Sequence, residues 1–328
     1  TTANLGLDFS VFQGRVNGSL EYYNTTTADL LAPQPLPTST GFGGFITNIG
    51  KTRNKGVELT LQTVNVDRDN FRWSTDWSFM RNREAILELA NGKVDDIAAA
   101  RFIGQPLSVF FDLEKIGIWQ TAELDEATKY GYKPGEIKIK DQNNDGKIDA
   151  NDRIILGTAV PDWAGGITNR IEFKGFDFSF FVFARMGQML NSRFHDTFNG
   201  LYGRYNNLKV DYWTPNNPTN DFPRPNQNQE SPRNASSMAY FDGSFVKVRN
   251  INLGYTFSKK MASSLRMESL RLYTSIQQPF IFASYRTKYK GIDPETQIDA
   301  EQGVGAGEVN GNVSPAVRNI TFGVSARF

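Results

Sequence analysis

The segment Asn319-Ile320-Thr321-Phe322-Gly323-Val324-Ser325-Ala326-Arg327-Phe328 decides how the rest of the chain is interpreted. Its even-numbered positions are apolar, and its odd-numbered positions are polar or glycine. Because the side chains of a strand point alternately to opposite faces, this pattern predicts a β-strand with one apolar and one polar face. The alternation runs to the last residue, which is aromatic. The terminus of a soluble domain, by contrast, is usually poorly ordered. Such a strand suits a transmembrane barrel, whose last strand must pair with its first because unpaired backbone groups are costly in hydrocarbon.

The composition narrows the classes of function. The chain has 36 lysines and arginines against 35 aspartates and glutamates, so its net charge of +1 gives no overall field that would attract nucleic acid. No cysteine is present, which excludes disulfides, thiol catalysis and cysteine-ligated metals. The sequence contains no run of about 18 apolar residues, so no transmembrane helix is predicted. The mean hydropathy of −0.45 does not exclude a barrel, because barrel strands alternate outward apolar residues with inward polar ones.

The same alternation recurs along the chain and predicts about nine strands. They fall at about residues 5–11, 16–22, 50–63, 72–79, 167–173, 176–185, 245–257, 270–277 and 319–328. The predicted fold is therefore all-β, an antiparallel transmembrane β-barrel. Single-chain bacterial barrels have an even number of strands, so an odd number predicts further strands before Thr1. We expect this chain to be the C-terminal part of a larger barrel.

The predicted connections between the strands alternate in length. Short turns are expected at Gln13-Gly14, residues 67–70, Lys174-Gly175 and residues 259–260, and long connections at residues 24–48, 89–163, 188–243 and 284–315. Outer-membrane barrels have short periplasmic turns and long extracellular loops, whereas both ends of a soluble sandwich are wet and need no such asymmetry. We therefore expect the C-terminus to be periplasmic and the long connections to be extracellular.

An acidic segment at residues 141–152 has the spacing of a calcium-binding loop. Oxygen-bearing side chains stand at loop positions 1, 3, 5, 9 and 12, with glycine at position 6 and a backbone carbonyl at position 7. The predicted Ca2+ ligands are Asp141, Asn143, Asp145, Lys147 through its carbonyl, Asp149 and Asp152. Aspartate stands at position 12 where an EF-hand has glutamate. The alternative is an Asx-rich turn that satisfies its own backbone without metal.

No sequence motif points to catalysis, and we expect no enzymatic activity. His195 is the only histidine and has no cysteine or serine partner at a recognisable spacing, so a loop histidine is favoured over a catalytic base. Aromatic residues among amides and charges in the connection at 188–243 suit sugar or peptide binding, with loop packing as the alternative. The candidate substrate-binding residues are Tyr202, Tyr205, Tyr212 and Trp213.

Several segments together resemble the SusC/RagA-like family of TonB-dependent outer-membrane transporters. They follow the family's order along nearly the whole chain: Asn54-Lys55-Gly56-Val57-Glu58-Leu59, Gly117-Ile118-Trp119-Gln120, Pro134-Gly135-Glu136-Ile137, Phe173-Lys174-Gly175-Phe176-Asp177, Val248-Arg249-Asn250-Ile251-Asn252-Leu253-Gly254-Tyr255, Tyr289-Lys290-Gly291-Ile292-Asp293-Pro294-Glu295 and the terminal strand. One departure is Ile116-Gly117, where the family often has Asp-Gly. The family's N-terminal plug and TonB box have no counterpart among these residues.

The resemblance implies an outer-membrane active transporter that imports glycans or peptides through a plugged barrel. Its implied partners are TonB, acting through the N-terminal region, a SusD-like surface lipoprotein seated as a lid on the extracellular loops, outer-membrane lipid, an oligosaccharide or peptide substrate, and a second copy in a dimeric assembly. We expect the connections at 89–163, 188–243 and 284–315 to form the lid contacts and the substrate cavity. Polar-face residues are expected to line the lumen, namely Arg72, Asp76, Arg170, Asp177 and Arg185.

Two other functions fit parts of the pattern. A secreted, calcium-stabilised β domain that binds or cleaves glycans would explain the alternation, the aromatic residues and the acidic segment, and it would be soluble without detergent. A passive porin would share the barrel but lack a plug and a lid.

Overall fold

A computed structural model describes the chain except for residues 36–38, 40, 42–43, 204–205, 229–230, 296–306 and 310–315. Its strands are, in chain order, β1 (Thr2–Val11), β2 (Val16–Pro35), β3 (Gly44–Arg68), β4 (Phe71–Glu88), β5 (Val109–Leu113), β6 (Lys115–Ile118), β7 (Ile137–Ile139), β8 (Arg153–Thr158), β9 (Trp163–Phe173), β10 (Phe176–Met186), β11 (Met189–Ser192), β12 (Tyr240–Asp242), β13 (Phe245–Thr256), β14 (Ser269–Phe282), β15 (Glu308–Val309) and β16 (Asn319–Arg327). The α-helices are α1 (Leu124–Lys129), α2 (Arg193–Phe198), α3 (Lys259–Ser264) and α4 (Ser284–Thr287). None of the described helices has the length and apolar character needed to cross a membrane.

One continuous sheet of nine strands dominates the fold, as the alternation predicted. Its order is β1-β2-β3-β4-β9-β10-β13-β14-β16, so each strand pairs with the next sheet strand along the chain. All of these pairs are antiparallel. Within the described residues, β1 and β16 form the two edges of this sheet. The prediction of antiparallel β architecture is confirmed.

The predicted loop at residues 24–48 is wrong over most of its length. Strand β2 continues to Pro35 and β3 begins at Gly44, and the two strands pair along this extension. The run Thr25-Thr26-Thr27 favours the extension, because β-branched side chains pack well on a pleated surface. Threonine, proline and glycine are turn signals in a sequence, but here the ladder accommodates them with register shifts after Thr27.

Short and long connections lie at opposite ends of the sheet. The short ones are residues 12–15, 69–70, 174–175 and 257–268, the last of which contains α3, whereas the connections at 89–162, 187–244 and 283–318 leave from the other end. Strand β16 runs toward the short-turn end, because Arg327 pairs with Ser269 at the start of β14. Phe328 therefore lies at the end of the sheet that carries the short turns.

The register gives the sheet one apolar face and one polar face. Trp73 pairs with Ile171, and the same row continues through Phe178 and Leu253 to Thr274 and then Phe322. Apolar side chains of this face are open, with Phe322 79% exposed and Trp73 38% exposed. Contiguous apolar surface of this extent is unfavourable in water, and it matches the outward face of a barrel in lipid.

The buried core of the chain lies in the long connections rather than under the sheet. Six residues form one cluster, here called the loop core: Leu190, Leu201, Phe222, Phe241, Tyr285 and Val309. The small sheet β12-β11-β15 supports it, and the paired strands β5 with β8 and β6 with β7 stand beside it. Trp213, in the connection at 187–244, packs on three isoleucines of the connection at 89–162, namely Ile118, Ile137 and Ile139. The three long connections thus pack against one another as one unit.

His195 ties two of these connections together. Its Nε2 lies 2.7 Å from the carbonyl oxygen of Tyr289, and its Nδ1 lies 2.8 Å from Ser192 Oγ. A carbonyl only accepts, so Nε2 carries the proton and Nδ1 accepts from the Ser192 hydroxyl. Ser192 Oγ is in turn 2.6 Å from the Tyr285 hydroxyl and also caps α2. The sequence favoured a loop histidine over a catalytic base, whereas the imidazole lies buried in α2 and is fully hydrogen-bonded, with a serine partner three residues earlier.

Burial governs the titration of this hydrogen-bonded group. Removal from water lowers the pKa of His195, and the hydrogen bond to the Tyr289 carbonyl offsets this only partly. Burial raises the pKa of Tyr285 to about 12, so the tyrosine stays neutral. The imidazole is therefore held in its neutral form.

We predict that the loop core loses stability as the pH falls below about 6.5, the usual pKa of histidine. The unfolded segment binds a proton there while the folded one does not, so stability present above the unfolded pKa is lost progressively toward the lower folded pKa. Hydrogen exchange of residues 190–198 and 285–292 in the purified protein, on both sides of this pH and corrected for intrinsic rates, measures the effect. His195→Gln should abolish the dependence, and an unchanged dependence in that variant would contradict the assignment.

Candidate functional site

The polar face of the sheet carries all five residues that were predicted to line a lumen. Their positions follow from the register of β4, β9 and β10, and the residues are Arg72, Asp76, Arg170, Asp177 and Arg185. Arg170 forms an ion pair with Asp76, and Arg271 Nη2 lies 2.7 Å from Asp177 Oδ2. Glycine at position 254 lets this second pair cross β13, since an added Cβ would lie 2.5 Å from Asp177 Oδ1. Partly exposed pairs of this kind add little stability, but they order polar groups along the face.

A buried group of charges stands on the same face, closer to the long connections. Lys247 on β13 is only 3% exposed, and its Nζ lies 2.7 Å from Asp293 Oδ2 and 2.6 Å from Glu295 Oε2. Arg249 forms an ion pair with Glu295 Oε1 and stacks with its guanidinium carbon 4.1 Å from the Phe183 ring centre. Arg185 of β10 lies on the same face, because Phe183, two residues before it, pairs with Lys247. We call Arg185, Lys247 and Arg249 the cation cluster.

A β-bulge aims the cation cluster into the polar face. Val248 pairs with Val182 and Asn250 with Phe181, so Arg249 is an extra residue that no partner opposes. The register also shifts on the other side of the strand, where Val248 pairs with Phe280 and Asn250 with Gln277. A bulge places two consecutive side chains on one face and re-aims them. Arg249 and Asn250 therefore both serve the face that already carries Lys247.

One cavity adjoins these polar groups, and another lies among the long connections. The first, of about 570 Å³, lies over the polar face and is lined by Lys247, Arg249, Glu295 and the amides Asn250 and Asn252, among others. Amide side chains both donate and accept hydrogen bonds, so this lining suits the hydroxyls of a sugar or the backbone of a peptide.

The other cavity, of about 380 Å³, lies among the long connections and is lined by Lys115, Asn220, Asp221 and Tyr240, among others. Lys115 donates to the Asp221 carbonyl, and its Nζ lies 5.7 Å from the Phe222 ring centre. Burial lowers the pKa of Lys115 to about 8, while the Asp221 charge acts in the opposite direction. The cavity therefore combines aromatic surface with a partly desolvated amine, which suits a polar ligand.

The structure separates the aromatic residues that were predicted to bind substrate. Trp213 is 5% exposed, and its indole Nε1 donates to Gln120 Oε1 at 2.9 Å, so it packs within the connections, and substrate binding by Trp213 stays a prediction. Tyr212 is 42% exposed, whereas Tyr202 lines a small cavity beside His195. Tyr205 lies outside the described residues. Substrate binding by Tyr202, Tyr205 and Tyr212 stays a prediction.

The acidic segment folds as a loop that satisfies its own backbone. Asp145 N donates to Asn143 Oδ1 at 3.0 Å and to Asp141 Oδ1 at 3.3 Å, and Gly146 N donates to Asp141 Oδ2 at 2.9 Å. Asp152 is fully buried and accepts from the backbone N–H groups of Gln142 and Asp149. Among the described residues, no three acidic or histidine side chains are grouped as a metal site. These contacts match the Asx-turn alternative, and Ca2+ binding by Asp141, Asn143, Asp145, Lys147, Asp149 and Asp152 stays a prediction.

The cation cluster is the feature that the sequence did not reveal. Lys247 and Arg249 stand two residues apart, as do Asp293 and Glu295, and both pairs lie in or beside segments that carry the family resemblance. A spacing of two is typical of side chains on one face of a strand, as for Lys247 and Arg249, or within one turn, as for Asp293 and Glu295. Lys247 and Asp293 stand 46 positions apart, so the contact leaves no pattern in a single sequence.

Comparison with known proteins identifies the family of this chain. The family model described as TonB dependent receptor-like, beta-barrel matches residues 1–274. TonB-dependent receptor P3 of Formosa agariphila is 30% identical over 99% of this chain and 34% of its own length. TonB-dependent receptor SusC of Bacteroides thetaiotaomicron is 27% identical over 100% of this chain and 32% of its own length. The chain thus spans about a third of the length of the curated relatives it matches.

Solved structures agree on the fold. A structure of the RagAB peptide transporter superposes with a TM-score of 0.74 and 21% identity, covering 99% of this chain and 35% of that one. The RagAB peptide importer in its open-open state gives a TM-score of 0.75 at 21% identity, over 100% of this chain and 34% of that one. At this identity the likeness concerns the fold alone. The family match and the curated relatives confirm the resemblance seen in the sequence, and the chain belongs to the β-barrel family of TonB-dependent receptors.

Proposed function

We propose that this chain supplies the C-terminal strands and surface loops of a TonB-dependent outer-membrane transporter that imports oligosaccharides or peptides. The observation that carries the proposal is the two-faced sheet of nine strands. Its apolar face is open to lipid, and its polar face carries ordered ion pairs and a cavity lined by charges and amides. Family membership supplies the link to TonB-driven uptake.

The orientation follows from the two ends of the sheet. Outer-membrane barrels keep their short turns in the periplasm, so the turns at 12–15, 69–70 and 174–175 and the C-terminus would lie there. The packed connections would then face the outside of the cell. A rigid surface built on the loop core suits a SusD-like lipoprotein seated on it, and TonB would act through the N-terminal part of the whole protein.

The substrate is an oligosaccharide or a peptide. The RagAB structures are those of a peptide transporter, and their likeness to this chain is one of fold. Both cavities offer amide and hydroxyl groups, and the one among the long connections adds aromatic groups, so the linings serve either ligand. The alternative of a secreted, calcium-stabilised glycan-binding domain is disfavoured, because such a domain would have to keep the apolar face of the sheet covered in water.

Uptake measurements test the function. In cells that carry the complete gene, removal of residues 188–243 should abolish both substrate import and co-purification of the surface lipoprotein, because this segment supplies four residues of the loop core. Disruption of TonB should abolish import by the unaltered protein but leave the lipoprotein association intact.

The comparison is made at equal amounts of protein in the outer-membrane fraction, so that a failure of assembly is not counted as a failure of transport. Unchanged import and unchanged lipoprotein association in the deletion variant would contradict the roles proposed for the long connections. Import that persists without TonB would point to a passive porin.

The calcium prediction has its own test. Asp141 Oδ1 and Asn143 Oδ1 converge on the N–H of Asp145, and the Tyr130 hydroxyl lies 3.3 Å from Asp141 Oδ2. A terbium ion bound there would be sensitised by the tyrosine, so titration of the purified protein should raise terbium luminescence and added Ca2+ should reverse it. Asp145→Asn should remove the signal, whereas Asp125→Asn on the adjacent α1 should not. A signal equal in both variants, or absent from the unaltered protein, refutes the site.

A further inference from the structure

The cation cluster holds a carboxylate in the arrangement that a ligand would need. Glu295 bridges two strand residues, with Oε2 at 2.6 Å from Lys247 Nζ and Oε1 on the guanidinium of Arg249. A planar guanidinium beside an ammonium is well suited to bind both oxygens of one carboxylate. The Phe183 ring beneath Arg249 and the bulge in β13 hold the guanidinium in this position.

The two carboxylates that face the cation cluster differ in their exposure and in how firmly hydrogen bonds hold them. The side chain of Asp293 is 10% exposed, and its Oδ1 also accepts from the backbone N–H of Glu295, which fixes it in the turn. The side chain of Glu295 is 28% exposed and lines the cavity of about 570 Å³. Glu295 is therefore the acid that a ligand can replace, while Asp293 stays on Lys247.

Among the described residues, the cluster carries one more positive than negative charge. Lys247 and Arg249 form ion pairs with Asp293 and Glu295, and the strand register places Arg185 on the same face. Within the part of the chain that the structure describes, the guanidinium of Arg185 makes no hydrogen bond or ion pair, whereas its backbone pairs in the ladder. A half-buried guanidinium beside another cation favours binding of an additional negative group.

We propose that the cation cluster is a carboxylate-binding subsite of the transport lumen, at which an acidic group of the substrate displaces Glu295. The inference rests on the proposed transport function and narrows its substrate class to ligands that carry a carboxylate. The amides beside the cluster bind the neutral part of the ligand, since Asn250, Asn252 and Gln277 all line the same cavity. The carboxylate comes from a peptide C-terminus or from an acidic sugar, and both share this chemistry.

Equilibrium binding to the purified full-length protein in detergent tests the subsite. The probes are tetra-alanine with a free C-terminus, the same peptide as its C-terminal amide, trigalacturonate, and its methyl ester. We expect one carboxylate probe to bind about tenfold more tightly than its neutral counterpart, as loss of a charged hydrogen bond implies. The pair that shows this difference identifies the source of the carboxylate.

Three variants separate the roles of the charges. Arg185→Gln should remove most of the preference for the carboxylate probe, and Arg185→Lys should retain part of it. Glu295→Gln should raise the affinity for the carboxylate probe about tenfold, because the competing internal acid is gone, and leave the neutral probe unaffected. The matched control Arg266→Gln, on the exposed short-turn end, should change neither affinity.

The outcomes are distinguishable from a failure of the transport function. Equal binding of charged and neutral probes, no binding of any probe, or an Arg185→Gln variant that keeps the full preference overturns the subsite. An unchanged carboxylate affinity in Glu295→Gln overturns the displacement. Charge-selective binding without TonB-dependent import in cells would instead leave the subsite standing and refute the proposed function.

Discussion

The structure depends on one constraint, which is that a sheet in hydrocarbon must pair its backbone groups and show only apolar side chains to lipid. The nine-stranded sheet meets both conditions at its interior strands, with a continuous ladder and an apolar face that runs from β1 to β16. The alternation that produces this face frees the opposite face for polar groups. Ion pairs, amides and the bulge at Arg249 can stand there because the lipid-facing side already supplies the membrane interaction.

The same constraint explains why the buried core lies away from the sheet. The sheet's apolar side chains are reserved for lipid, so the long connections must bury their own apolar residues. They do so through Tyr285, Phe241 and Leu190, with His195 as a neutral hydrogen-bonded link between two connections. This gives the long-loop end a defined surface. Such a surface can present a cavity and dock a partner, which long unpacked loops could not.

Periodicity predicted the sheet well because it reports one local property, the alternation of faces. Nine strands, the separation of short and long connections and the polar-face residues such as Asp76 all follow from it. It failed at residues 24–48, where tertiary pairing overrides threonine, proline and glycine turn signals. It reveals neither the burial of Trp213 nor the contact of Lys247 with Asp293, because burial in the connections and pairing across distant segments leave no local pattern.

The central claim is that this sheet spans the outer membrane with its long connections outside, and cysteine labelling in intact cells tests it most directly. The chain has no cysteine, so Ile97→Cys at the long-loop end and Leu265→Cys at the short-turn end, both exposed positions, can each be read alone once any other cysteine of the whole protein is replaced. A membrane-impermeant maleimide should label Ile97→Cys in intact cells and Leu265→Cys only after lysis. Labelling of Leu265→Cys in intact cells, with Ile97→Cys protected, would contradict the account.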